Sequence, residues 1–248
     1  MKILVCISCV PDTTTKINFT ADQKAFETQG VQYIINPNDE FGLTRAIRLQ
    51  QSHGAYVTVV TVGDVSCEPI LRKCLAIGAD AALRIDTQPQ DGYFVSKQLE
   101  ALCQKQSFDL ILTGRESIDY NGGMVGGMLA TLLNLPFVTH CVGLEINGDE
   151  ALMQREIDGG KEHTKANLPV VLGAQKGLVE EKDLIIPNMR GIMQARQKPL
   201  TVEAPVALDP RSQIEHYEKP EARGPVTLFD PSDVDGLLNA LQNQAKVL

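Results

Sequence analysis

Residues 108–135 read FDLILTGRESIDYNGGMVGGMLATLLNL, an apolar run, a polar loop and an apolar stripe in succession. Leu110-Ile111-Leu112-Thr113 is a short apolar run, the length of a strand buried on both faces in a parallel sheet. A polar loop follows from Gly114 to Asn121. After Gly122-Gly123, the residues Met124, Val125, Met128, Leu129, Leu132 and Leu133 recur at helical spacing. Strand, loop and helix N-terminus in that order make the place where open α/β sheets bind phosphate. There the free N–H groups and the positive end of the helix dipole meet the anion, outside the strand's carboxyl end. The glycines match neither G-x-G-x-x-G nor G-x-x-x-x-G-K-[ST]. A second reading therefore stays open, in which Gly126 and Gly127 only let the helix pack closely on the sheet.

Working back towards the N-terminus, the alternation of strand and helix continues. Lys2 to Cys9 reads as a buried first strand, and Pro11 to Thr15 as the loop after it. The start superficially resembles a signal peptide, but it carries one positive charge and no small-residue cleavage site, and Pro11-Asp12 ends it abruptly. Val31–Ile35 predicts a short strand. Asn36-Pro37-Asn38-Asp39-Glu40 then predicts a helix start, with an Asn cap, Pro in the first turn and acids at the positive dipole end. Capping alone would explain Asn36 and Asp39. Strands at 56–62 and 82–85 and helices at 70–78 and 92–105 complete the pattern. It implies a mainly parallel sheet flanked by helices.

Beyond Pro136 the pattern changes to short strand-like runs separated by Asn147-Gly148 and Asp158-Gly159-Gly160, a β-rich extension of the sheet. Val170–Leu172 predicts one more buried strand. Residues 176–199 place Ile185, Ile186 and Met189 beside Pro187, Asn188 and Gly191, a mixture suited to an exposed, adaptable contact loop. Five prolines punctuate 200–248, which ends in an amphipathic helix with Val234, Leu237, Leu238 and Leu241 on one face. The division expected is an α/β nucleotide-binding domain over 1–199 and an arm over 200–248. That arm either wraps a partner subunit or folds back on its own domain.

The net charge of −8 argues against nucleic acid or an anionic membrane surface as partner. No run approaches the roughly 20 apolar residues of a membrane span. A cytoplasmic protein without membrane insertion is expected. Six scattered cysteines fit reduced thiols rather than a disulfide framework. Cys6-Ile7-Ser8-Cys9 is formally C-x-x-C, but it sits in a strand pattern, where residues three apart point to opposite faces. The four histidines lie far apart and suggest no metal site, and no catalytic constellation is evident.

Several motifs in order carry a resemblance. They are Val10-Pro11-Asp12, Ile35 to Glu40, Gly78-Ala79-Asp80, Gly114 to Asp119, Arg155 to Gly160, and Ile192-Met193 with Ala195 and Lys198. Together they make the chain similar, almost end to end, to the β subunit of electron transfer flavoprotein (ETF).

The resemblance implies a heterodimer with an ETF α subunit that holds most of a redox-active FAD. This chain would bind AMP structurally, shape the FAD site and turn over no substrate of its own. Electrons would pass from flavin dehydrogenases, such as the acyl-CoA dehydrogenases of fatty acid oxidation, to an ETF:quinone oxidoreductase. By position, the AMP contacts fall on Cys6, Asn36, Pro37, Asn38, Asp39, Val62, Gly114, Asp119, Tyr120, Asn121, Gly122, Gly123, Met124 and Val125, with the amides of 121–125 on the phosphate. Asp12 and Thr13 would face the flavin. A docking loop falls on 183–193, with Met189 as apolar anchor beside Ile186, Pro187 and Ile192; Glu156 matches an acid near that region. Val179-Glu180-Glu181-Lys182-Asp183 departs from the family's usual Asn-Glu-Pro-Arg-Tyr, so the dehydrogenases served would differ. Two alternatives stay open: an electron-bifurcating member with a second FAD in place of AMP, and a stand-alone adenine-nucleotide-binding protein.

Overall fold

The computed structural model describes residues 1–248. Its elements are β1 (Lys2–Cys6), β2 (Cys9–Pro11), β3 (Tyr33–Ile35), α1 (Pro37–His53), β4 (Tyr56–Val62), α2 (Glu68–Ile77), β5 (Ala81–Ile85), α3 (Gly92–Lys105), β6 (Leu110–Gly114) and α4 (Val125–Leu133). There follow β7 (Phe137–Asn147), β8 (Glu150–Ile157), β9 (Gly160–Asn167), β10 (Val170–Ala174), α5 (Met189–Ala195), β11 (Leu200–Glu203) and α6 (Val234–Asn239). Nine strands form one sheet in the order β11-β5-β4-β1-β6-β10-β7-β8-β9. The first seven run parallel, and β8 and β9 close the far edge antiparallel.

The central strands are apolar on both faces because helices cover both. Ile3, Val5, Leu110 and Leu112 join α1 and α2 in a core of 31 buried residues. Their neighbours Leu4, Cys6 and Ile111 point the other way, into a core of 12 with α3 and α4. The period-2 alternation of strands and the helical stripes of 70–75 and 94–102 thus produce the two layers directly. No helix is long and apolar enough to cross a membrane.

The expected α/β sheet is present, with three departures. The first strand stops at Cys6, because Asp39 Oδ2 takes the N–H of Ser8 at 2.7 Å. Cys9–Pro11 instead pairs antiparallel with Tyr33–Ile35 in a separate two-stranded ribbon. β10 is the buried strand expected at Val170–Leu172, and it inserts between β6 and β7. Phe137–Cys141 and Val142–Ile146, expected as two of the short runs after Pro136, are one strand, kinked where His140 takes φ +55°. β11 adds an edge strand beside β5, so the arm begins inside the sheet.

Past Glu203 the arm lies on its own domain for part of its length. Gln98 exchanges two hydrogen bonds of 2.8 Å with the backbone of Val206. Asp91 accepts the N–H groups of Arg211 and Ser212 at 2.5 and 2.7 Å. Tyr217 stacks on Phe19 with ring centroids 4.8 Å apart. Beyond that, α6 and the π-helical turn at 240–245 leave Val234, Leu237 and Leu238 exposed.

Candidate functional site

The carboxyl ends of β1, β4 and β6 meet the start of α4 at a narrow open cleft of about 70 Å³. Cys6, Ile7 and Ser8 come from β1 and its loop, Val60 and Val62 from β4, Thr113 and Gly114 from β6. Glu116, Ser117, Gly122 and Val125 close one side, and Val95 and Leu99 of α3 the other. Five of the positions expected to contact AMP (Cys6, Val62, Gly114, Gly122 and Val125) therefore line one cavity, although they are spread over 120 positions of sequence.

The loop 115–124 is held by its own backbone. Ser117 N–H donates to Gly122 O at 3.0 Å, and Asn121 takes φ +50°, a left-handed conformation that Asn tolerates better than most residues. Asp119, Tyr120, Gly123 and Met124 are exposed at its rim. Met124, at the cap position of α4, makes no side-chain cap, so the first-turn amides and positive dipole end remain open. Gly126 fulfils the packing alternative: a Cβ there would lie 2.6 Å from Thr113 Oγ1 and 3.0 Å from the Phe137 ring. At Gly127 the nearest atom would be 3.4 Å away, ordinary contact. Gly122 and Gly123, in contrast, face the rim.

Asn36 departs from expectation. It occupies the cap position of α1, but its side chain makes no cap. Instead its Nδ2 donates to Glu116 O at 2.9 Å, and its Oδ1 accepts from Ile118 N–H at 3.2 Å. Asn38 Nδ2 donates to the same carbonyl at 3.1 Å. Pro37 supplies the first turn without needing a partner for an N–H. Asn36, Asn38 and Asp39 thus clasp the loops after β1 and β6, a role beyond the capping that would have explained Asn36 and Asp39. Gly114 makes this possible, since a Cβ there would strike Asp39 Oδ1 and Asn36 Nδ2. Burial pushes the Asp39 carboxyl up to about 7, although the N–H groups of Ser8 and Gly114 favour its charged form.

Arg115, a cation of the loop itself, is occupied. Its guanidinium pairs with Glu116 Oε1 at 2.8 Å and donates to Gln175 Oε1 at 3.2 Å. Gln175 in turn donates to Glu156 Oε2 at 2.5 Å, which places Glu156 in a polar series running to the cleft loop. Asp12 lies in a separate polar hollow of about 390 Å³, shared with Thr14, Lys16 and Gln29. Its carboxyl accepts from Thr14 N–H at 2.8 Å and Thr14 Oγ1 at 2.6 Å, bonds that hold it below the usual carboxylate range. Thr13 sits exposed in that turn.

The 186–193 segment is exposed, as its composition implied. Ile186 is 82% exposed, Met189 75% and Met193 68%, with Ile192 at 43% and Pro187 half-buried. It is anchored from below. Asn188 Oδ1 caps α5 on Gly191 N–H at 2.8 Å, Ala195 is buried, and Arg72 holds the carbonyls of Ala195 and Lys198 at 2.8 and 2.9 Å. Ser8, Val95, Leu99, Glu116 and Ser117 were not anticipated at the cleft. Val95 and Leu99 carried only a helix-core signal. Nor did the sequence indicate that Tyr217 of the arm meets Tyr120 of the loop, hydroxyl to hydroxyl, at 3.0 Å.

Comparison with known proteins gives one consistent result. The sequence profile of the electron transfer flavoprotein domain matches residues 23–208. A protein of Bacillus subtilis (strain 168) named electron transfer flavoprotein subunit beta is 39% identical over 204 residues, covering 81% of this chain and 77% of that one. The mitochondrial electron transfer flavoprotein subunit beta of Oryza sativa subsp. japonica is 34% identical over 259 residues, spanning 100% of both chains. A Bradyrhizobium diazoefficiens protein of the same subunit name is 30% identical over 252 residues, again 100% of both.

Proposed function

Because the chain belongs to the electron transfer flavoprotein family, we propose that it is the β subunit of such a carrier. It binds AMP in the cleft beside α4 and pairs with an α subunit that carries FAD. The observation that supports this best is the convergence of Cys6, Val62, Gly114, Gly122 and Val125 on one cleft against an uncapped helix start. Val62, Val95 and Leu99 offer apolar walls to a purine face. With Arg115 tied to Glu116 and Gln175, phosphate charge is met by main-chain amides from 121 to 125 rather than by a cation. Asn36, Asn38 and Asp39 act behind the ligand by fixing the loops that carry those amides.

The flavin supplies the electron-accepting and electron-donating chemistry when bound. This chain's residues seat and orient, and the turn stiffened between Asp12 and Thr14 is its wall towards the flavin. Met189, Ile186, Pro187 and Ile192 form the contact for flavin dehydrogenases, with ETF:quinone oxidoreductase as the acceptor of the carrier's electrons.

Co-expression with an α-type chain and analysis of the released cofactors tests the assignment. A yellow heterodimer with one FAD and one AMP is expected. Two FAD per heterodimer would identify a bifurcating member, and a colourless single-chain species would identify a stand-alone nucleotide binder.

A further inference from the structure

The two cysteines of Cys6-Ile7-Ser8-Cys9 part company in the fold. Cys6 points into the core shared with α3 and α4, whereas Cys9 packs against the core on the α1/α2 side. There Cys9 meets another thiol. Its Sγ lies 3.7 Å from Thr61 Oγ1. Two residues further along the same extended segment, the Cys67 Sγ occupies the space that a Cβ on Gly63 would fill. Thr61 and Gly63 thus bring the two thiols to neighbouring positions at the carboxyl end of β4 and the bend after it. Both cysteines are half-buried and both are free.

Their environments differ in the way that thiol exchange requires. Cys67 sits at the N-cap of α2, at the positive end of a ten-residue helix. Its thiol is pushed below the ordinary range, chiefly by a hydrogen bond from the Cys9 thiol, with Ser66 and Arg84 helping and Asp64 opposing. Cys9 is pushed up by that same bond, by burial and by the neighbouring Cys67 and Cys74. Tyr33 is the remaining titratable group facing the pair.

We propose that Cys9 and Cys67 are a redox-active dithiol, a site of reversible modification by small disulfides. The Cys67 thiolate attacks one sulfur of the small disulfide, forming a mixed disulfide and releasing one small thiol. The Cys9 sulfur then attacks Cys67, gives its proton to solvent and expels the second small thiol. Two protein thiols are oxidised and one external disulfide is reduced to two thiols. The product is a covalent tie between β2 and the turn after β4. The proposal is independent of the nucleotide reading.

The test incubates the reduced full-length chain with oxidised glutathione, followed by thiol titration and non-reducing peptide mapping. Two of the six thiols should disappear with no glutathione retained, and the Cys67 peptide should be linked to Cys9. Cys9→Ser should trap glutathione on Cys67, and Cys67→Ser should abolish both reactions. An unchanged thiol count, a stable glutathione adduct on the unaltered chain, or a bond through Cys6 or Cys74 would overturn it. The mapping of the unaltered chain decides the matter even if a variant misfolds.

Discussion

Asp39 shows how one residue can serve fold and site together. It sits between the ends of β1 and β6, with the Cys6 and Cys74 thiols as its titratable neighbours. The folded chain holds its proton up to about pH 7, whereas an unfolded Asp releases it near ~4. Between those values the folded state binds more protons, so this residue's contribution to stability falls as pH rises through the window and is flat above it. Urea midpoints measured across the window should show that slope, and Asp39→Asn should flatten it; an unchanged slope in the variant would refute the assignment. Gly126→Ala should destabilise by ~1–3 kcal/mol through overpacking, while Gly127→Ala should be neutral or mildly stabilising because its Cβ has room; equal unfolding midpoints would contradict this. Neither distinction was legible in the sequence, where Gly126 and Gly127 look equivalent and Asn36 looks like a cap. What separates them is contact with residues such as Thr113, Phe137 and Glu116, set by packing rather than by local pattern.

At the scale of elements, the parallel strands and their covering helices were readable because apolar periodicity records which faces are buried. β11 was not, since Leu200–Glu203 is short and half-exposed. The exposed 186–193 segment was legible because its apolar residues sit among Pro, Asn and Gly and follow no core period. The structure adds why it can remain exposed: α5 is tied to α2 by Arg72 and by the buried Ala195. Met189→Ala should therefore change folding stability by no more than ~0.5 kcal/mol. It should slow reduction by a partner dehydrogenase by about tenfold, as for a truncated interface anchor, with flavin content intact. Unchanged reduction kinetics would remove Met189 from the docking surface.

For the whole molecule, the arm links distant parts. Residues 206–212 lace along α3 and its cap, and further on Tyr217 touches Phe19, Gln23 and Tyr120. No sequence pattern pairs positions 97 residues apart, so this contact could come only from the folded chain. Tyr217→Ala should release the arm and speed proteolysis beyond Glu203 several-fold, leaving the α/β core resistant; an unaltered digestion pattern would show the contact to be incidental. Nucleotide binding at the cleft is tested by amide NMR of the nucleotide-stripped chain titrated with AMP. The largest shifts are expected at the N–H groups of Gly122, Gly123, Met124 and Val125, with smaller ones at Cys6 and Val62. Saturable shifts confined to other parts of the chain, or none at all, would contradict it.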